Sequence, residues 1–168
     1  MQVPIRKPGK YTYSKPDLHL TRAKLNGLKE ELERLKTTNR PRAMKEVSRL
    51  AEMGDFSENA AYQIAKGRLR GLNERINELE ERVKKAIVIQ TKGTDTVQIG
   101  HKVTVEANGR RSTFRVLGSE ESDPGQHIIS YTSPLGSAVL DKAVGDRITM
   151  KVKNSEVTYV IVMIAENP

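Results

Sequence analysis

The sequence predicts an α+β protein in which an antiparallel coiled-coil helical hairpin precedes a small, mostly antiparallel β domain with one short helix. Three observations predict this class. Apolar residues recur at alternating spacings of three and four in two long segments, an acidic turn at 54–59 separates the segments, and apolar residues recur at every second position after residue 94. Spacings of three and four place residues along one side of a helix, whereas a spacing of two places them on one face of a strand.

The chain begins with a segment rich in proline and basic side chains. Residues 1–16 contain four basic residues and no acidic one, together with Pro4, Pro8 and Pro16. This composition predicts a flexible basic arm, to which the sequence assigns no role. Asp17 follows the arm, and because aspartate is a favoured N-cap residue, we expect the first helix to begin near it.

The first long helix carries an apolar stripe that is interrupted once, at Arg40-Pro41. Pro41 has no backbone N–H and disfavours the helical conformation of the residue before it, so we expect a kink or a short break there. Gly54 is placed to end the helix as a C-terminal cap. The stripe consists of Leu25, Leu28, Leu32 and Leu35, and it resumes with Ala43, Val47 and Leu50.

The second long helix is predicted from about residues 55–57 to about Gln90, so that residues 17–91 form the hairpin. Extending its stripe backwards places Glu58 and Asp55 at the next two positions, beyond the last apolar contact. The stripe has the 3-4 repeat of a coiled-coil seam and consists of Tyr62, Ala65, Leu69, Leu72, Ile76, Leu79, Val83 and Ala86.

A second domain is predicted over residues 98–168, after a linker at 92–97. Asn108-Gly109 is typical of a two-residue hairpin turn. Ser133-Pro134 predicts the start of a short helix that extends to about Leu140, with Ser133 as its cap. The predicted strands are 102–107, 112–117, 128–131, 147–153 and 157–164.

Charge is distributed unevenly between the two parts of the chain. Residues 98–168 contain 8 Lys and Arg and 8 Asp and Glu, whereas residues 1–97 contain 21 basic and 13 acidic side chains. The excess of +8 favours contact with a polyanion or an acidic protein surface, although a solvated helix face accounts for part of it. Without cysteine, a secretory signal or a long apolar run, we expect a cytoplasmic protein with no membrane contact and no cofactor of its own.

Asp55 and Glu58 are the candidate chemical groups of the acidic turn. Mg²⁺ prefers oxygen ligands and is commonly held by one or two carboxylates, with water and phosphate completing its shell. Two exposed carboxylates make a weak metal site alone, but they can complete a site whose other ligands come from a partner. The alternative is helix capping, because negative charge is favourable at a helix N-terminus. Asn59 could orient a water or cap the helix.

The run Gly54 to Tyr62, which reads Gly-Asp-Phe-Ser-Glu-Asn-Ala-Ala-Tyr, is similar to the coiled-coil tip of the bacterial GreA/GreB transcript cleavage factors. Arg40-Pro41 resembles the family in the first helix, and Ser-Pro-Leu-Gly at 133–136 followed by Val-Gly-Asp at 144–146 resembles it in the second domain. The resemblance covers roughly residues 20–166 in the family's order and spacing. It does not decide between the GreA and GreB branches.

This resemblance implies a transcription elongation factor that is not itself an enzyme. The second domain would be FKBP-like and would dock on bacterial RNA polymerase. The hairpin would enter the polymerase's secondary channel and stimulate the polymerase to cut backtracked nascent RNA. We expect a monomer that contacts the polymerase and the RNA 3′ end and shares Mg²⁺ with the polymerase.

The family's functional positions fall on specific residues of this chain. The two tip acids, which would act as auxiliary catalytic and Mg²⁺-binding groups, fall on Asp55 and Glu58. A basic position associated with the RNA 3′ end falls on Lys66, and Arg68 and Arg70 extend it as a predicted RNA-binding set. The docking residues fall on Ser133 and Pro134, and we add Leu135 as an apolar residue expected to be exposed.

Three other functions remain open from the sequence. An inhibitor on the same scaffold would occupy the secondary channel without promoting cleavage, although the Asp55 and Glu58 pair favours cleavage. A peptidyl-prolyl isomerase would need an aromatic-lined pocket, and residues 98–168 contain only Phe114, Tyr131 and Tyr159 as aromatic side chains. A plain coiled-coil nucleic-acid binder would leave the second domain without a role.

Overall fold

The structure is a computed structural model that describes residues 17–53, 60–152 and 155–166. Over the described residues, the chain divides into two compact units, which are residues 19–92 and residues 93–166 together with 17–18. The predicted α+β class is confirmed, because the first unit is largely helical and the second contains a five-stranded sheet with one short helix. In the described ranges, no helix combines the length and apolarity needed to cross a membrane.

The first unit begins with a two-residue strand and continues into three α-helices. Thr21 is the N-cap of the first helix, since its side-chain oxygen accepts a hydrogen bond from Lys24 N at 3.2 Å. The prediction that Asp17 caps this helix is wrong. The elements are β1 (His19–Leu20), α1 (Arg22–Arg34), a π-helical turn (Leu35–Asn39), α2 (Arg40–Glu52) and α3 (Ala60–Lys85).

A π-helical turn replaces the kink or break predicted at Arg40-Pro41. Arg40 N donates to Leu35 O, five residues back, and the helix continues directly into α2. Pro41 has no N–H to donate, and in a regular α-helix its ring would clash with the carbonyl group of Thr37. The wider turn accommodates the proline by including one additional residue. This insertion explains why the apolar stripe changes phase after Leu35.

The predicted stripes of both helices meet as a seam between α1 and α3. Leu79 is fully buried, and Leu28, Leu35 and Ile76 are each at most 8% exposed. Leu32, Leu72, Val83 and Ala86 pack against this cluster as partly buried residues. Nearer to residue 54, Leu50 and Ala65 are the buried residues of α2 and α3. The predicted coiled-coil packing is therefore confirmed over the described residues.

The second long helix is shorter than predicted. It ends at Lys85 rather than near Gln90, and β2 (Ile87–Val88) pairs in parallel with β1. Ile89 N extends this pairing by donating to Leu20 O at 2.9 Å. The β-branched residues 87–89 suit an extended conformation, and pairing with β1 gives their backbone groups hydrogen-bond partners.

The second unit is built on a five-stranded sheet with the strand order β5-β4-β3-β7-β6. Neighbouring strands are antiparallel except for the parallel pair β4 and β5. Asn108 and Gly109 have φ values of 50° and 72°, as the predicted hairpin turn requires. The strands are β3 (Lys102–Ala107), β4 (Arg110–Leu117), β5 (Ile128–Ser130), β6 (Arg147–Val152) and β7 (Ser155–Ala165), so all five predicted strands are present.

An aliphatic core joins one face of this sheet to the short helix α4 (Pro134–Val139). Val97 is fully buried in this core, and its backbone pairs with the chain at Asp141 and Lys142. The second unit thus includes part of the 92–97 segment. The buried core residues are Val97, Val103, Val105, Val116, Val139, Ile148, Ile161 and Ile164.

Candidate functional site

The acidic turn lies in sequence between the last residues of α2 and the first of α3. Met53 follows α2, and Ala60 begins α3. Asp55, Glu58 and Asn59 lie outside the described residues, so their roles stay predictions. Within the ranges that the structure does describe, no group of three or more histidine, aspartate or glutamate side chains is arranged to hold a metal ion.

Lys66 and Arg70 lie together on one face of α3. They are one helical turn apart and line the same shallow groove of about 650 Å³. Lys66 Nζ lies 6.0 Å from the centre of the Tyr62 ring, while Arg70 Nε lies 3.8 Å from a Glu74 carboxylate oxygen. The Arg70 and Glu74 side chains are 81% and 72% exposed, so solvent weakens this ion pair. The groove is lined by Gln63, Lys66, Gly67, Leu69, Arg70, Asn73, Glu74 and Asn77.

Arg68 lies on a different face from the other two predicted RNA-binding residues. Each residue turns an α-helix by about 100°, which places Arg68 about 200° from Lys66. Arg68 lines a second groove, between α2 and α3, and its charge acts on Glu46 there. The sequence prediction treated the three basic residues as one set, but the structure brings together only Lys66 and Arg70.

Ser133 closes the start of α4 through two hydrogen bonds. Its Oγ accepts from Gly136 N at 3.1 Å and donates to Ser130 O at 2.6 Å. A side chain at Gly136 would not fit, because its Cβ would lie 2.0 Å from Ser130 O. The predicted cap is confirmed, and the Ser-Pro-Leu-Gly sequence has a structural role at this turn.

The other two predicted docking residues differ in exposure. Pro134 is exposed in the first turn of α4. Leu135 is only partly exposed and packs against the aliphatic core. The expectation that Leu135 is an exposed apolar residue on a loop is wrong, because the helix turns this side chain toward the sheet. Pro134 is therefore the exposed apolar member of the set.

Asp17 has a contact that the sequence analysis missed. Its carboxylate accepts hydrogen bonds from Ser119 N at 2.6 Å and from the Tyr131 hydroxyl at 3.4 Å. Burial, together with this negative charge, raises the pKa of Tyr131. The bonded residues are more than 100 positions apart in sequence, so no local pattern could reveal the contact.

Comparisons with known proteins give a consistent family. The profile described as "Transcription elongation factor, N-terminal" matches residues 18–88. The profile described as "Transcription elongation factor, GreA/GreB, C-term" matches residues 90–166. Together these matches cover both units of the structure.

Individual relatives support the same assignment. A protein of Maricaulis maris called transcription elongation factor GreA is 43% identical over 71% of this chain and 78% of its own length. A protein of the same name from Mycoplasmopsis pulmonis is 31% identical over 88% of this chain and 95% of its own. Another from Borreliella burgdorferi is 36% identical over 82% of this chain, which spans only 16% of that longer protein.

Among solved structures, GreA factor homolog 1 of Thermus thermophilus is 25% identical, with a TM-score of 0.41 over 89% of this chain and 99% of that chain. The family assignment rests on the two profile matches and the sequence relatives. The chain belongs to the GreA/GreB family of transcription elongation factors.

Proposed function

We propose that the chain binds bacterial RNA polymerase, inserts its hairpin into the secondary channel and stimulates cleavage of backtracked nascent RNA. The observation that carries the proposal is the position of Asp55 and Glu58, which follow the seam register beyond the buried residues Leu50 and Ala65. Relatives called transcription elongation factor GreA support a role in transcription elongation. The site of action would be the cytoplasm, and the active form would be a monomer.

The donor chemistry of the two acids suits Mg²⁺. Both are carboxylates, which are the hard oxygen ligands that this ion prefers, and together they offer too few ligands to hold it without a partner. Mg²⁺ bound there would activate the attacking water and stabilise the departing oxygen of the phosphodiester. Asp55 and Glu58 would each supply carboxylate oxygens to a centre whose remaining ligands belong to the polymerase and the RNA.

The basic face of α3 would position the RNA. Lys66 and Arg70 follow the acids in sequence by two to four helical turns and have exposed side chains. Their charges would attract phosphate groups of the extruded RNA, and this attraction would weaken as salt increases. The second unit would anchor the chain to the polymerase outside the channel through the surface at Pro134.

A transcript cleavage assay tests the proposal. Wild-type chain, added with Mg²⁺ to a stalled and backtracked elongation complex, should shorten the RNA faster than the polymerase does alone. Asp55→Ala and Glu58→Ala should each reduce cleavage to the level of polymerase alone, because removing one carboxylate leaves the metal site incomplete. Both variants should still compete with wild-type chain for the polymerase.

Cleavage at the wild-type rate by either variant would contradict the metal-completion role. A wild-type chain that binds and blocks the polymerase without shortening the RNA would assign it to the inhibitor class instead. Glu52→Ala is a matched control, since Glu52 is an exposed carboxylate at the end of α2. It should leave cleavage unchanged.

A further inference from the structure

A groove between α2 and α3 has no role in the function described so far. It lies on the side of the hairpin to which Arg68 points and has a volume of about 450 Å³. We call it the arginine-rimmed groove. It is lined by Arg42, Ala43, Glu46, Leu50, Ala61, Ile64, Ala65 and Arg68.

The floor of this groove is apolar and is formed largely by short side chains. The three alanines among its lining residues have short side chains, which allow a further helix to approach closely. Ile64 is 56% exposed beside them, whereas the neighbouring seam residues Leu50 and Ala65 are each 7% exposed. A partner that covers Ile64 would remove apolar surface from water, which is favourable.

The rim of the groove is positively charged. Among the described residues that line the groove, Glu46 is the one acidic side chain, and Arg49 donates hydrogen bonds to both of its oxygens, at 2.8 and 3.0 Å. These hydrogen bonds, with the nearby charges of Arg49 and Arg68, lower the pKa of Glu46 and keep it ionised. Within the part of the chain that the structure describes, no ion pair closer than 4 Å involves Arg42 or Arg68. The rim therefore favours a partner that carries carboxylates.

The composition of the groove distinguishes between possible occupants. None of the described residues that line it is aromatic, so these side chains offer no surface on which RNA bases could stack. The basic arm at 1–16 carries four positive charges and would be repelled by the two arginines. A second copy of this chain that docked through the same groove would place its own two arginines against these two, and the like charges would repel each other. An acidic amphipathic helix satisfies both the apolar floor and the charged rim.

We propose that the arginine-rimmed groove binds an amphipathic helix of RNA polymerase. The apolar stripe of that helix covers Ile64 and the alanines, and its carboxylates face Arg42 and Arg68. In this contact the partner helix packs against α2 and α3 as a third helix. It fixes the rotational orientation of the hairpin about its long axis. This proposal rests on the proposed function, because it needs the hairpin to enter the polymerase.

Binding measurements with full-length variants test the groove. Ile64→Glu should weaken binding to the elongation complex by about tenfold, as expected for a central contact residue. Arg68→Glu should weaken binding as well, because it places a negative charge opposite the partner's carboxylates. Met44→Glu is the matched control: Met44 is 49% exposed on α2 but lines a different groove. It should bind like wild type.

Photocrosslinking identifies the occupant. A photoreactive amino acid at position 64 should crosslink to a helix of the polymerase that carries acidic residues, and Arg68→Glu should reduce this crosslink. A crosslink to RNA or to a second copy of the chain would overturn the proposal. Equal losses of binding in Ile64→Glu and Met44→Glu, or no loss in either, would also overturn it while leaving the proposed function intact. A wild-type chain that does not bind the polymerase would refute both.

Discussion

At the scale of single residues, His101 is a buried histidine whose pKa is lowered in the folded chain. Its side chain is fully buried, and its Nδ1 accepts a hydrogen bond from Gln98 N at 3.0 Å. Its Nε2 has no hydrogen-bond partner in the described part of the chain. Burial lowers the pKa of His101, and this effect outweighs the opposing influence of the Glu166 carboxylate and of the backbone at Thr96 and Gly93.

His101 should make the second unit less stable in acid. Its pKa in the folded chain lies below the ordinary value of about 6.5, so the unfolded chain binds the proton first as the pH falls. This stability is complete above about pH 6.5 and decreases below it, by at most about 1.4 kcal/mol per pH unit. Urea unfolding of the second unit at pH 7.5 and 5.5 measures the effect.

His101→Asn serves as the control for this measurement. An asparagine oxygen can replace Nδ1 as the acceptor for Gln98 N but does not titrate. The variant should be less stable than wild type at pH 7.5, since it leaves unfilled space, and should lose less stability between pH 7.5 and 5.5. Parallel losses in the two proteins would assign the acid sensitivity to other groups.

At the scale of elements, α3 carries its basic side chains on two faces rather than in one patch. Lys66 and Arg70 share the groove that continues along Asn73 and Asn77, whereas Arg68 belongs to the arginine-rimmed groove. Their separation follows from the helical repeat, because positions four apart lie on one face and positions two apart do not. The two faces can therefore be tested separately.

The RNA-binding face should depend on Lys66 and Arg70 but not on Arg68. Replacing Lys66 and Arg70 together by serine should reduce crosslinking to the RNA 3′ end by several-fold at low salt, because two phosphate contacts are lost. The reduction should be smaller at high salt, where these contacts are already screened. At a chain concentration that saturates the polymerase, Arg68→Ser should crosslink to RNA like wild type, and an equal loss in that variant under this condition would contradict the assignment of faces.

At the scale of the whole molecule, charge is distributed unevenly along the chain. Residues 1–97 carry the whole excess of +8, and residues 98–168 are neutral. Residues 1–97 thus suit contact with RNA, while residues 98–168 suit contact with a protein surface. Pro134 is the exposed apolar member of the predicted docking set and lies within the neutral range 98–168.

Pro134→Asp should weaken polymerase binding by about tenfold without unfolding the chain. A negative charge is compatible with the first turn of α4, so the fold should tolerate it, whereas an apolar contact with the polymerase should not. Ser133→Ala is the complementary variant. It removes the cap and should cost about 1 kcal/mol of stability while keeping Pro134 on the surface.

Binding and thermal melting of both variants separate docking from folding. If Pro134→Asp melts like wild type and binds with full affinity, the docking assignment fails. If both variants lose binding only in proportion to their loss of stability, the Ser-Pro sequence has a structural role alone.

Local sequence patterns determined the elements and much of their pairing. The 3-4 stripes identified the residues that meet in the seam, since these spacings keep side chains on one face of a helix. Asn108-Gly109 determined the first hairpin of the sheet, because both residues adopt positive φ readily. The family was also readable from the sequence, through the tip, Arg40-Pro41 and the Ser-Pro-Leu-Gly motif.

Tertiary structure decided what depends on residues distant in sequence. Residues 87–88 form a strand because His19 and Leu20 lie beside them, although the apolar pattern continued the helix. Leu135 turns into the core because α4 packs on the sheet, and Asp17 binds Ser119 instead of capping a helix. In each case a local conformational preference is worth only a few tenths to about 1 kcal/mol. It is outweighed by hydrogen bonds or burial that only the folded chain supplies.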